Sequence, residues 1–214
     1  MPLEKILRQN QAWAASFKKE HPTLAARTAQ GQAPAILWYG CSDSRASPEV
    51  VADCTLGDLF VQRNIANVVH RGDPSSMSVL EYAIRHLGVQ HVVVCGHTKC
   101  GGVQAALANK SVGSYLDPWL EKLKRLIPRI PPPSPPSLAS SPDLERQRAL
   151  IDLNVYQSLY EIAHSEVVQA RWEENAIPLT LHGWVYNLET LELEDMAVEV
   201  NSREMADKML TSYL

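Results

Sequence analysis

Three short apolar runs constrain this chain more than any other feature: AILWYG at 35–40, DLFVQRN at 58–64 and HVVVCGH at 91–97. Each is apolar on consecutive positions and then runs into polar residues, the pattern of a strand buried on both faces. Between the last two lies SMSVLEYAIRHLG (76–88), in which Val79, Ala83, Ile84 and Leu87 share a helical face. Ser76 or Ser78 is placed to cap its start, and Gly88 to end it. A strand, helix, strand unit of this kind predicts an α/β fold with a mostly parallel central β-sheet flanked by helices.

The rest of the chain extends that plan. Residues 3–18 space Leu3, Ile6, Leu7, Trp13 and Phe17 at helical intervals, so residues 1–30 read as an N-terminal helical arm whose apolar face needs a partner. After His97 comes TKCGGVQAALAN, a Gly-rich turn feeding a helix; 114–127 predicts another, and 144–172 a long one. PLTLHGWVYN (178–187) and LELEDMAVEV (191–200) predict two strands around a turn near Glu189, the second an antiparallel edge strand near the C-terminus. Residues 128–143 hold half of the chain's 14 prolines and predict an exposed, polyproline-like surface loop. That loop is a connection inside one domain, residues 1–214.

Composition narrows the function. With 214 residues, 45% of them hydrophobic, the chain can bury one sizeable core. A net charge of -4 and the lack of a basic stripe argue against nucleic acid and anionic membrane as partners. No apolar run approaches the roughly 20 residues of a bilayer span, and the first 25 residues lack a signal-peptide or transit pattern, so a cytoplasmic location is expected. Cysteines at 41, 54, 95 and 100 are too few for a disulfide scaffold, which leaves metal binding or burial.

Metal-competent residues collect at the strand ends. Cys41, Asp43 and Arg45 follow the first run, and His97 and Cys100 follow the third. In open α/β sheets the crevice beyond the strand carboxyl ends is where sites form, so the two turns should converge. Together they offer two thiolates, one imidazole and one carboxylate, all zinc ligands. Zinc with two thiolates is neutral; Asp43 as a fourth ligand closes the site, and releasing it to the fork of Arg45 leaves a position for water, which zinc acidifies. By residue type alone, a structural zinc, or an Asp43–Arg45 salt bridge that merely braces the turn, remains open. Cys54 and Cys95 read as buried inert thiols, Tyr82 as a packing residue, and His70, His86, His91, His164 and His182 have no ligand-like spacing.

The runs Cys41-Ser42-Asp43-Ser44-Arg45, Arg63-Asn64-Ile65-Ala66-Asn67 and His97-Thr98-Lys99-Cys100-Gly101-Gly102, in that order, resemble the signature of β-class carbonic anhydrases. The similarity extends from LWYG to HGWVYN. It implies reversible hydration of carbon dioxide to bicarbonate and a proton by zinc-bound hydroxide, with one Zn2+ per chain on Cys41, His97 and Cys100. Asp43 and Arg45 become the catalytic dyad, and the arm helps to clasp a neighbour in a homodimer or homotetramer.

The resemblance further implies a bacterial-like subtype. Trp38, Arg63 and Tyr186 match a non-catalytic bicarbonate pocket in members that favour the closed, Asp43-ligated zinc. Activity in that subtype climbs with pH, because hydroxide and Asp43 compete for one position. Thr55-Leu56-Gly57 stands where many relatives carry Gln-Pro-Gly or Glu-Pro-Gly, so the amide used by plant-type members is absent. The same site could instead hydrolyse carbonyl sulfide or carbon disulfide, or serve a non-catalytic zinc or bicarbonate sensor; Trp38 and Tyr186 also read as core aromatics, and Arg63 as half of an ion pair at a subunit contact.

Overall fold

The structure, a computed structural model, describes residues 2–132, 141–174 and 176–213. It divides into two compact units, Met1–Ala33 and Pro34–Leu214. The first consists of helices α1 (Leu3–Glu20) and α2 (Pro22–Thr28), neither of which buries a residue. In α1 the charges suit the helix dipole, with Glu4 in the first turn and Lys18 and Lys19 in the last. Its apolar stripe stays in solvent: Leu3 is 77% exposed, Leu7 66% and Trp13 48%.

In the second unit the strands are β1 (Ile36–Cys41), β2 (Leu59–Asn64), β3 (His91–His97), β4 (Thr180–Tyr186) and β5 (Leu193–Val200). They form one sheet in the order β2-β1-β3-β4-β5; the first three pairings are parallel and β4 with β5 is antiparallel. The connections carry α3 (Pro48–Val51), α4 (Pro74–Tyr82), α5 (Gly101–Ala108), α6 (Leu116–Lys124), α7 (Pro142–Ala163) and α8 (Glu166–Glu174), and a helical tail, Arg203–Tyr213, follows β5. The α/β architecture expected from the alternating pattern is present, including the antiparallel edge strand.

Alternation along the strands makes two faces. Leu37, Tyr39, Val92, Val94 and Leu181 pack with Leu80 of α4 and Val155, Leu159 and Ile162 of α7. On the other face Trp38, Val93, Cys95 and Tyr186 cluster beside Val51 of α3. Helix α7 lies close on the sheet because β3 and β4 present glycines to it. A Cβ on Gly96 would stand 2.8 Å from Cγ2 of Ile151, and one on Gly183 would stand 3.1 Å from side-chain atoms of Val155 and Leu159.

Three boundaries differ from expectation. The helix before β3 starts at Pro74, not Ser76, because the Asp73 carboxylate caps it, accepting from the backbone N–H groups of Ser75 (3.1 Å) and Ser76 (3.2 Å). Its end is as expected: Gly88 adopts the left-handed conformation. The long helix of 144–172 is two helices, broken at His164 and Ser165; the Ser165 hydroxyl donates back to the Ile162 carbonyl (2.7 Å) and accepts from Val168 N–H (3.4 Å), which caps α8. The proline-rich segment gives its ends to helical turns, Ile127–Arg129 and the start of α7 at Pro142, while 133–140 of the expected loop lies outside the described residues.

Filling the contact under α7 should show in stability. Gly96→Ala is expected to cost about 1–3 kcal/mol by overpacking, read as a lower urea midpoint at unchanged slope. An unchanged midpoint would mean that α7 is not held against β3 by that fit.

Candidate metal centre

Cys41 ends β1 and His97 ends β3. The strands are parallel neighbours, so both side chains leave the sheet at the same carboxyl edge. Lys99 then takes a left-handed conformation (φ 55°), reversing the chain so that Cys100, the residue before the first turn of α5, comes back to His97. The ligand atoms of Cys41, His97 and Cys100 all lie within 4.8 Å of one another, and all three residues are buried.

The histidine is oriented for a cation. Its Nδ1 lies 2.9 Å from the Thr98 carbonyl, which only a protonated nitrogen satisfies, so Nε2 carries the free lone pair. Nε2 is buried and has no hydrogen-bond partner. An unmatched buried acceptor is costly unless a cation takes the lone pair, and with two sulfurs beside it the donor set fits zinc.

The thiols are tuned as a pair. The Cys100 hydrogen bond pulls Cys41 well below the usual thiol range against the cost of burial, with further help from His97. The same contact, together with burial, pushes Cys100 up, while the N–H groups of Val103 and Gly102 in the first turn of α5 pull the other way. At His97 burial opposes the charged ring, but the closeness of Cys41 and its charge outweigh it and raise its pKa. Cys41 is thus the thiol that ionises first, and a metal bound here would displace the protons left on its neighbours.

Asp43 stands at the rim, turned toward Arg45. Its Oδ1 accepts from the backbone N–H and Nε of Arg45 (both 2.9 Å), and its Oδ2 accepts from Nη2 (2.8 Å). The Arg45 hydrogen bond holds the carboxyl well below the usual carboxylate range. Oδ2 lies 3.9 Å from His97 Nε2, so the carboxylate borders the Cys41, His97, Cys100 group without being one of its members.

Arg63 braces the ligand-bearing turn, its Nε donating to the Cys41 carbonyl and its Nη2 to the Asp43 carbonyl, each at 2.7 Å. Trp38 and Tyr186 are buried in one cluster on the same sheet face. Trp38 meets Trp184 edge-on with centroids 5.6 Å apart, and its indole nitrogen overlies Gly40, whose register partner is Arg63. Trp38 on β1 and Tyr186 on β4 thus share one cluster, while Arg63 lies on β2, three strands from Tyr186, with its fork engaged by two carbonyls.

The motifs gave no sign of the support beneath Cys41. Ala66 and Asn67 are consecutive left-handed residues (φ 62° and 46°), and this geometry aims the Ala66 N–H at Cys41 Sγ (3.3 Å). The turn is held by the buried Asn154 of α7, whose Nδ2 donates to the Ala66 carbonyl (2.8 Å), by Asn64, whose amide bonds both the N–H and the C=O of Val68, and by the Trp119 indole on the Ile65 carbonyl. Gly102 lets α5 close over it, since a Cβ there would stand 2.9 Å from that of Ala66. The available signal was Asn154 itself, an amide on an otherwise apolar helix face.

The remaining candidates lie elsewhere. Cys95 is buried, and burial pushes its thiol up to about 12; Cys54 is only half-buried, in the turn after α3. Tyr82 stacks with Phe60 and His86. His91 and His182 face each other at 3.1 Å, and His164 bonds Tyr160 and Asp207.

The carbonic anhydrase family pattern matches residues 36–193. A carbonic anhydrase of Emericella nidulans is 43% identical over 196 residues, 92% of this chain and 84% of the relative. The crystal structure of the β-carbonic anhydrase CafA of Aspergillus fumigatus is similar at 40% identity and a TM-score of 0.83, covering 99% of this chain and 98% of that one. A tetrameric β-carbonic anhydrase of Sordaria macrospora is similar at 32% identity and a TM-score of 0.82, covering 92% and 98%.

Removing the amide beneath the Ala66 turn should disturb both stability and ligand. Asn154→Ala leaves the Ala66 carbonyl buried and unpaired, an expected loss of about 1–3 kcal/mol in urea unfolding. In the cobalt-substituted protein the sulfur-to-metal absorption band should also shift, as the N–H···S bond to Cys41 loosens. A variant with wild-type stability and an unmoved band would show that Asn154 does not set this turn.

Proposed function

The chain belongs to the β-class carbonic anhydrases and, with zinc, catalyses the reversible hydration of carbon dioxide to bicarbonate and a proton; from that premise we propose that Cys41, His97 and Cys100 hold one zinc per chain while Asp43 and Arg45 orient the reaction. The observation that carries the assignment is the buried, unpartnered Nε2 of His97 between two thiols. Held by these two sulfurs and the imidazole, zinc would supply the Lewis acidity that turns water into a nucleophile at neutral pH. Asp43, kept ionised by Arg45, can only accept a hydrogen bond. It holds the proton of the reacting oxygen toward itself and so turns a lone pair toward the carbon. Arg45 keeps that acceptor charged and fixed, and the Arg63 contacts to Cys41 and Asp43 hold the whole turn in place.

In the closed form, an alternative position of the same carboxylate, Asp43 released by Arg45 would serve as the fourth ligand. Its support is short reach, 3.9 Å from Oδ2 to His97 Nε2. The non-catalytic bicarbonate pocket at Trp38, Arg63 and Tyr186 is supported by their shared sheet face, with an indole N–H, a phenol and a guanidinium as donors. Self-association as a dimer or tetramer is supported by the exposed apolar stripe of α1. A cytoplasmic setting is supported by the four free cysteines, which a reducing compartment preserves.

Stopped-flow carbon dioxide hydration, with zinc analysis on the same samples, tests the catalytic reading. The wild type should turn over, and Asp43→Ala should keep its zinc yet lose about 10²–10³-fold in kcat, the scale of removing one oriented polar group. Zinc without turnover in the wild type would point to a sensor or to a sulfur-containing substrate; full activity in Asp43→Ala would remove the carboxylate from the mechanism. For the pocket, Trp38→Phe and Tyr186→Phe take away only the donors. Each should weaken inhibition by bicarbonate that is not competitive with substrate, and unchanged inhibition in both would discard the pocket.

A further inference from the structure

Behind the turn that supports Cys41, and sharing Val68 and Asn154 with it, lies an open-mouthed cavity of about 280 Å³ in which cations outnumber acids. Lys122 on α6, Arg125 just past its end and Arg129 in the following turn line one side. His70 lines the cavity as well, and opposite stand Gln157 and Glu161 of α7.

The acid does not neutralise these cations, because it is already committed. Glu161 Oε2 accepts from the backbone N–H (3.0 Å) and Nε (3.1 Å) of Arg71, and Oε1 accepts from Gln157 Nε2 (3.1 Å). Among the described residues none of Lys122, Arg125 and Arg129 pairs with a carboxylate. His70 is set as a donor: its Nδ1 accepts from Gly72 N–H (3.0 Å), so in the neutral ring Nε2 carries the hydrogen. Burial and then the neighbouring Lys122 lower its pKa, which keeps the ring neutral and marks the crowding of positive charge.

Like charges gathered in a concave site without a counter-ion repel one another, and an anion relieves that repulsion. We propose that this cavity is a binding site for a small phosphate-type dianion, held by Lys122, Arg125 and Arg129 with the His70 N–H as a further donor. The size and setting choose among anions. The cavity falls just below the about 300–1,000 Å³ of sites for drug-sized ligands, so a phosphate group or a small phosphomonoester fits and a nucleotide is too large. A small concave pocket in a chain of net charge -4 does not suit an extended polyanion either. The site is separate in chemistry from the bicarbonate pocket, sharing none of its residues.

The test is calorimetric titration of the zinc-loaded protein with inorganic phosphate and, separately, glycerol phosphate, at fixed ionic strength. Saturable binding of one anion per chain is expected. Lys122→Ala/Arg125→Ala, and independently Arg129→Ala, should weaken it by about tenfold or more, the scale of losing charge-assisted hydrogen bonds. Carbon dioxide hydration by these variants in phosphate-free buffer should stay at the wild-type rate, which reports intact folding. Tighter binding of glycerol phosphate would identify a phosphomonoester as the occupant, and tighter binding of phosphate the free ion. No saturable heat with either, or equal affinity in wild type and variants, would overturn the proposal; the latter would place the anion at the metal instead.

Discussion

The parallel pairing of β1 with β3 is the constraint on which everything else rests. Its register, Ile36 with His91 through Tyr39 with Val94, fixes where each strand stops, and so puts the Cys41 turn and the His97 turn side by side at one edge of the sheet. A slip of one residue would send the side chains of one strand to the opposite face. Buried packing forbids that slip: Leu37 and Tyr39 belong under α4 and α7, and Trp38 belongs with Val93 on the other side. The core thus specifies the position of the ligands, and the glycines under α7 let the helix that carries Asn154 approach closely enough to support them.

Charge organises the site on that scaffold. As thiolates, Cys41 and Cys100 would balance a divalent ion, and the Asp43–Arg45 pair beside them is neutral in itself. The carboxylate therefore stays ionised at the rim without adding net charge to the buried cluster. Two devices hold the geometry, both acting on the main chain: Arg63 grips the carbonyls of Cys41 and Asp43, and the left-handed pair Ala66–Asn67 turns an N–H onto the Cys41 sulfur. Left-handed non-glycine residues are unfavourable, and the amides of Asn64 and Asn154 supply the bonds that keep them so.

β1 and β3 were legible because burial on both faces leaves unbroken apolar runs, whereas β2, read the same way, is an edge strand half-buried along its length; the Cys41, His97, Cys100 group was legible because strand ends in a parallel sheet converge. What escaped depended on tertiary contacts. Ser76 looked like a cap, but Asp73, ahead of Pro74, is the stronger acceptor. Apolar periodicity ran through Ser165 without showing that its hydroxyl breaks α7 from α8. The charge of Arg63 gave no sign that its fork bonds two carbonyls of the Cys41 turn. The positive φ of Ala66 and Lys99 has no signature in residue type, whereas Asn67 is of a type that tolerates that conformation.

The central claim is that Cys41, His97 and Cys100 hold the zinc. X-ray absorption at the zinc edge of the purified protein, repeated on Cys100→Ser, tests it most directly. The account predicts two sulfur neighbours at about 2.3 Å and lighter nitrogen or oxygen neighbours at about 2.0–2.2 Å in the wild type, with one sulfur lost in the variant. A shell of nitrogen and oxygen alone, or a spectrum indifferent to the loss of Cys100, would contradict it.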